Sequence, residues 1–170
     1  MTEKAFLDTN IILRVLLNDE PIKAQRCLEL LHRAERRELQ LFTSEMVVAD
    51  VVWILQTRYG LSRAEVRASV LPIIQMPGLK LANKALYSQI FDLYVQYNID
   101  YIDAYNVVVM HQLGLTEIYS YDGDFKRVTG ITRLEPGPHS FIIDYIRKGV
   151  FMSDNVVLAY SGGLDTSVAV

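Results

Sequence analysis

The chain has 170 residues, 51% of them hydrophobic, and a formal net charge of −3, which fits one folded domain with a short appendage. This weak negative charge argues against a protein that coats DNA or RNA without regard to sequence, but not against a nuclease with a local basic rim. The single cysteine, Cys27, excludes an intramolecular disulfide, and no apolar run approaches the roughly 20 residues of a membrane helix, so we expect a cytoplasmic protein without a membrane anchor.

The first half of the chain alternates strand and helix patterns. The apolar run at residues 5–7 predicts a buried strand, and Asn10 is placed to cap a helix over residues 11–17. Pro21 opens a second helix pattern, which continues to residue 36. The next predicted elements are a strand over residues 39–43, a helix over residues 45–59, and a helix that opens at the capping box Ser62–Glu65 and ends near Pro72.

The second half continues the same alternation. Strands are predicted over residues 79–81, 117–121 and 131–134, and helices over residues 83–97 and 101–113. This order predicts an α/β fold with a mostly parallel central sheet and helices on both faces. In such a sheet, ligands collect beyond the carboxyl ends of the strands.

Four aspartates occupy positions that this fold could bring to one place. Asp8 and Asp122 follow predicted strands, whereas Asp50 and Asp103 lie in apolar helices that could flank the same edge. A carboxylate in apolar surroundings is costly to bury unless a positive charge compensates it. The four positions therefore favour a shared Mg²⁺ or Mn²⁺ ion, because both ions prefer oxygen ligands.

Each of these aspartates also has a purely structural interpretation. Asp8 could cap a helix, Asp50 could face solvent, and Asp103 could favour a helix N-terminus through its charge alone. Asp122 could simply form a turn with Gly123.

Neighbouring titratable residues are weaker candidates. Asp124 could cap the turn that leads into Phe125, and Asp100 is expected to cap the helix that carries Asp103. Glu45 lies five residues before Asp50 and is turned roughly 140° around the helix, so it is interpreted as an ordinary first-turn acid.

The segments that carry the aspartates resemble, in order and spacing, the signature of PIN-domain ribonucleases over residues 5–135. The matching segments are Phe6-Leu7-Asp8-Thr9-Asn10, the helix with Asp50 and Trp53, the pair Asp103-Ala104, and Tyr121-Asp122-Gly123-Asp124-Phe125. The resemblance extends to the toxin component of the bacterial VapBC toxin–antitoxin modules. Asp50 stands where that family usually has a glutamate, so its carboxylate lies nearer the backbone.

This resemblance implies a three-layer fold and a Mg²⁺- or Mn²⁺-dependent endoribonuclease that leaves a 5′-phosphate and a 3′-hydroxyl. The implied metal ligands and catalytic residues are Asp8, Asp50, Asp103 and Asp122, with Asp124 as an accessory ligand. Residues expected to contact the RNA are Asn10, Arg14, Ser120, Lys126 and Arg127. The resemblance also implies a homodimer that a small antitoxin protein silences.

Other functions remain open at this point. Asp50 in place of glutamate favours a PIN fold with weakened catalysis that serves as a binding module. A stand-alone RNA-processing nuclease is a further alternative. Cleavage of DNA flaps is less favoured, because the chain lacks the extra length that would thread a strand.

The C-terminal residues 152–170 carry a different motif. Ser161-Gly162-Gly163-Leu164-Asp165-Thr166-Ser167 resembles the phosphate-binding loop of N-type ATP pyrophosphatases, and the stretch from Met152 resembles the start of argininosuccinate synthase. Glycines in such a loop let backbone amides approach a phosphate. Because the rest of a nucleotide-binding domain is missing, we expect no ATP chemistry. We expect residues 1–151 to form the nuclease domain and residues 152–170 an appended tail.

Overall fold

The computed structural model describes residues 3–137. The chain divides after Leu134 into two units, Met1–Leu134 and Glu135–Val170, and every element described below belongs to the first. The predicted tail over residues 152–170, and the predicted boundary at residue 151, lie outside the described residues.

Strands and helices alternate along the described chain, as the sequence predicts. The strands are β1 (Glu3–Phe6), β2 (Leu39–Phe42), β3 (Leu79–Lys80), β4 (Glu117–Tyr119) and β5 (Thr132–Leu134). The helices are α1 (Thr9–Leu17), α2 (Pro21–Glu35), α3 (Glu45–Thr57), α4 (Arg63–Gln75), α5 (Tyr87–Gln96) and α6 (Tyr101–Gln112). Two short 3₁₀ helices span Lys84–Leu86 and Gly123–Arg127. None of the helices within residues 3–137 combines the length and the apolar character that a membrane span requires.

Strand pairing is parallel throughout the described residues. β1, β2 and β3 form one sheet in that order, with Phe6 opposite Phe42 and Leu41 opposite Leu79. β4 and β5 form a second, two-stranded sheet. The α/β class and the parallel arrangement are therefore confirmed, and parallel pairing directs the carboxyl ends of β1 and β2 to the same edge.

The first strand differs from its prediction. A buried strand was expected, but every residue of Glu3–Phe6 is exposed, and only Leu7, just after the strand, is fully buried. Among the strands within residues 3–137, β1 lies at the border of the three-stranded sheet and pairs with β2 alone. Its side chains therefore have fewer neighbours than those of β2, where Leu39 and Leu41 are buried.

Helix boundaries follow local signals in most places. Ser62 and Glu65 form the predicted capping box at the start of α4, with the Ser62 backbone N–H donating to Glu65 Oε2 at 2.8 Å. However, α4 continues through Pro72 to Gln75, so the predicted end near Pro72 is wrong. Pro72 is exposed, so water can solvate the backbone carbonyl that its missing N–H leaves without a partner.

One close approach of backbone segments makes a glycine necessary. Gly78 lies in the turn between α4 and β3, and a Cβ atom there would lie 2.0 Å from the Ala34 carbonyl oxygen and 2.8 Å from that of Leu39. Its own carbonyl accepts a hydrogen bond from the Leu41 N–H at 2.9 Å, which connects this turn to β2. The backbone at residue 78 cannot withdraw without losing that bond.

We predict that Gly78→Ala lowers the free energy of unfolding by about 3 kcal/mol, because overpacking a rigid site costs this much. Gly123→Ala is the matched control, since a Cβ atom at Gly123 meets nothing within 4 Å. Urea unfolding of both variants measures the effect. Equal stability of the two variants would contradict the prediction.

Candidate metal and nuclease site

Asp8 is held at the carboxyl edge of the three-stranded sheet. The Leu7 N–H donates to the Phe42 carbonyl at 2.7 Å, and the Thr43 hydroxyl donates to the Leu7 carbonyl at 3.0 Å. These bonds and the burial of Leu7 leave Asp8 exposed immediately beyond them. The expected cap residue, Asn10, is instead inside α1: Asp8 occupies the N-cap position, although its side chain makes no capping hydrogen bond.

Asp50 lies on the exposed face of α3. Four valines of this helix are buried, namely Val47, Val48, Val51 and Val52. Met46 and Trp53 are 76% and 46% exposed, and their spacing from Asp50 places all three on one stripe of the helix. The Asp50 carboxylate is therefore accessible to a ligand and is bordered by two apolar side chains.

Glu45 takes a structural role, in agreement with its interpretation as a first-turn acid. It is partly buried in the first turn of α3 and accepts a hydrogen bond from Asn83 Nδ2 at 3.3 Å. It also raises the pKa of Tyr105 through a hydrogen bond, after the larger effect of burial. These contacts connect α3 with α6 and leave Asp50 as the acid of α3 that faces solvent.

Asp103 has the most unusual electrostatic environment among the four aspartates. It lies in the first turn of α6 and is partly buried. Burial, followed by the negative charges of Asp122, Asp100 and Asp124, raises its pKa from 3.8 to about 6. Asp103, Asp122 and Asp124, which we call the acidic cluster, are therefore brought together by the fold from two separate segments of the chain.

The loop that carries Asp122 is a turn whose polar atoms are well ordered by hydrogen bonds. The Asp122 N–H donates to Ser120 Oγ at 3.0 Å, and Asp122 Oδ1 accepts the Asp124 N–H at 2.8 Å. Asp124 Oδ1 lies 2.9 Å from Arg127 Nη2. Asp122 is therefore the N-cap of the 3₁₀ helix Gly123–Arg127, and its charge also acts on Asp103.

Asp100 is the N-cap residue of α6, as predicted, but its side chain bonds elsewhere. Although it occupies the N-cap position, its side chain makes no capping hydrogen bond. Instead, Asp100 Oδ1 accepts a hydrogen bond from Arg63 at 3.0 Å, and Arg63 also donates to the Ile99 carbonyl at 2.9 Å. Arg63 thereby fixes the segment that enters α6 and sets the position of Asp103.

Two of the three basic residues expected to contact RNA already have acidic partners in the structure. Arg14 Nη1 is 2.8 Å from Asp19 Oδ1 and 2.6 Å from Glu20 Oε1, so it already has acidic partners. Arg127 is paired with Asp124 and donates to the Asn98 carbonyl. Lys126 is exposed and follows Asp124 by two residues. Asn10 and Ser120, the other two residues expected to contact RNA, lie near Asp8 and Asp122 respectively.

The chemistry of these side chains suits a hard divalent cation. All the candidate ligands are carboxylates, and the acidic cluster concentrates negative charge that a cation would neutralise. Within residues 3–137, no three acidic, His or Cys side chains form a ready-made metal site. Mg²⁺ usually keeps several of its waters and binds proteins through one or two carboxylates, so the residues present fit such an ion.

Asp8 and Asp50 do not belong to the acidic cluster. The charges acting on Asp103 come, among the described residues, from Asp122, Asp100 and Asp124. The structure therefore brings together two of the four predicted aspartates, with the accessory Asp124. It places Asp8 at the sheet edge and Asp50 on the exposed face of α3.

Comparison with known proteins gives one result about the family. No curated protein sequence is similar enough to this chain to count as a match. The PIN domain family, whose members are generally metal-dependent ribonucleases, matches residues 5–131. The matched range contains all four aspartates and Asp124. Because it spans more than half of the sequence, this chain belongs to the PIN domain family.

Proposed function

We propose that this protein is a Mg²⁺- or Mn²⁺-dependent endoribonuclease that hydrolyses RNA phosphodiester bonds. The observation that carries the proposal is the partly buried Asp103, whose pKa is raised to about 6 by burial and by the charges of Asp122, Asp100 and Asp124. Carboxylates crowded in this way repel one another, and a shared cation removes that cost. The family match supports nuclease chemistry at the same place.

Each acidic residue has a distinct part in the proposed site. Asp103 and Asp122 would hold the ion, and Asp8 and Asp50 would complete its surroundings, partly through water. Asp124 is an accessory ligand, whose carboxylate Arg127 orients. When bound, the ion supplies Lewis acidity for the phosphate and for the attacking water.

The residues around the acids orient the loop and meet the substrate. The Ser120 hydroxyl accepts the Asp122 N–H and so stabilises the turn that carries the carboxylate. Lys126 is exposed two residues after Asp124, and we expect it to contact an RNA phosphate. Hydrolysis would leave a 5′-phosphate and a 3′-hydroxyl.

Metal removal tests this proposal. Purified protein is expected to cleave single-stranded RNA with Mg²⁺ or Mn²⁺ and to lose cleavage in EDTA, because the acids alone cannot neutralise charge on the phosphate. Cleavage is measured on gels with end-labelled RNA, and re-addition of Mn²⁺ after EDTA is the control. Equal cleavage in EDTA, at all protein concentrations, would refute a metal-dependent mechanism.

Asp50 distinguishes the nuclease from a catalytically weakened binding module. Because aspartate is shorter than the usual glutamate, we expect Asp50→Glu to cleave RNA faster than the natural protein. Asp50→Asn should cleave roughly tenfold more slowly, as expected for a residue that acts on a metal through water. Single-turnover rates measure both variants. If neither substitution changes the rate, Asp50 is outside the site, and the weakened-module hypothesis loses its main support.

We further propose that the enzyme is the toxin of a toxin–antitoxin pair and that it acts as a homodimer in the cytoplasm. The resemblance to VapBC toxins supports the toxin role, and the single cysteine is in keeping with a reducing compartment. Expression should arrest growth, and co-expression of a small adjacent gene should relieve the arrest. Growth without arrest, together with RNA cleavage in vitro, would favour a stand-alone RNA-processing nuclease.

A further inference from the structure

A basic cleft lies between α1 and α2, and its lining begins at Asn10, two residues after Asp8. The cleft has a volume of about 380 Å³ and is lined by Asn10, Ile11, Arg14, Lys23, Arg26 and Cys27. All three charged residues in this lining are cations, namely Arg14, Lys23 and Arg26. Such a concentration of positive charge is unexpected in a chain with a net charge of −3, and it indicates an anionic ligand.

Two carboxylates compensate only part of this positive charge. Asp19 and Glu20 pair with Arg14, and Glu20 Oε2 is also 2.6 Å from Lys23 Nζ. Arg26 is exposed and has no ion pair within residues 3–137. The basic cleft therefore holds three cations against two neighbouring acids, and Arg26 is the cation that is free to bind a ligand.

The position of the basic cleft relates it to the proposed site. Asn10 is two residues after Asp8, and Asn10 and Arg14 are four residues apart on α1, so they share one face of that helix. The lining of the cleft thus starts within the first turn of the helix that Asp8 precedes, and it continues across to α2. A polyanion with a phosphodiester at Asp8 would have further phosphates within reach of these cations.

We propose that the basic cleft binds backbone phosphates of the RNA substrate that flank the scissile bond, with Arg26 as a principal phosphate contact. The planar guanidinium can donate two parallel hydrogen bonds to one phosphate, which a carboxylate-paired lysine cannot do. The inference rests on the proposed ribonuclease function. RNA is favoured over an acidic protein segment because the lining begins two residues after Asp8, a proposed residue of the nuclease site.

Binding measurements without metal test the cleft apart from catalysis. The Asp8→Asn protein is titrated in EDTA against a fluorescein-labelled single-stranded RNA, and anisotropy gives Kd at several NaCl concentrations. In this background, Arg26→Gln should weaken binding severalfold at low salt. It should also reduce the slope of log affinity against log salt by about 0.7, the value for one lost phosphate contact on a single strand.

Two further variants separate a phosphate contact from a structural effect. Arg67→Gln is the matched control, because Arg67 is a partly exposed arginine on α4 that pairs with Asp92 at 2.7 Å, and it should leave Kd and slope unchanged. Arg26→Lys keeps the charge and should restore most of the slope but only part of the affinity. Thermal unfolding should show that all three variants fold.

The outcomes distinguish this inference from the proposed function. If the metal-loaded natural protein cleaves RNA but Arg26→Gln leaves Kd and slope unchanged, the cleft proposal is overturned and the nuclease stands. If the natural protein does not cleave RNA but Arg26→Gln lowers the slope, the cleft binds RNA and the proposed activity is wrong. If the RNA does not bind the protein at all, both the cleft proposal and the proposed nuclease function are overturned.

Discussion

Asp103→Asn is expected to lower the rate of metal-dependent RNA cleavage by about 100-fold or more. The substitution removes a negative charge from the acidic cluster while keeping the size of the side chain, so the ion would lose an anionic ligand without a change in packing. Charge stabilisation by a bound metal contributes several kcal/mol to catalysis, and each 1.36 kcal/mol corresponds to a factor of ten in rate. Single-turnover cleavage at saturating Mn²⁺ measures the loss.

Asp100→Asn is the matched control for this rate measurement. Asp100 lies three residues earlier, carries the same charge, and pairs with Arg63. Loss of the Asp100 charge should change the cleavage rate far less, because the Asp100 carboxylate is paired with Arg63. Comparable losses in both variants would mean that net charge near α6, and not metal ligation by Asp103, controls the rate.

Asp103→Asn should also stabilise the metal-free protein. Folding raises the pKa of Asp103 from 3.8 to about 6, so the folded state binds more protons than the unfolded state between these pH values. The free energy of unfolding of the natural protein therefore falls as the pH rises through this range, and this loss of stability persists at neutral pH. Asp103→Asn removes the ionised carboxylate and should recover about 1 kcal/mol at pH 7, after allowance for screening by water at a partly buried site.

Thermal unfolding at pH 4 and pH 7 tests this prediction. In EDTA at pH 7 the variant should melt about 3 °C higher than the natural protein, whereas the two should be nearly equal at pH 4. Added Mn²⁺ should reverse the order at pH 7, because the ion stabilises only the protein that binds it. A variant that is less stable than the natural protein in EDTA at pH 7 would show that ionised Asp103 is not a source of strain.

Much of the fold could be predicted because its signals are local. The capping box at Ser62 and Glu65 depends on residues three positions apart, and it forms as predicted. The alternation of strand and helix patterns is likewise a property of short segments. The exposure of β1 could not be read in this way, since the same apolar run would be buried if a strand covered its other side.

For the candidate site, the sequence by itself determined the identity and order of the aspartates, and with them the family and the oxygen-ligand chemistry. Only the tertiary structure decided which charges meet. It raises the pKa of Asp103 by burying the side chain and by bringing the charges of Asp122 and Asp124 within range, and it pairs Arg63 with Asp100 from a distant helix. Electrostatic energy depends on the distance between charges and on their burial. For residues far apart in sequence, folding alone sets both quantities.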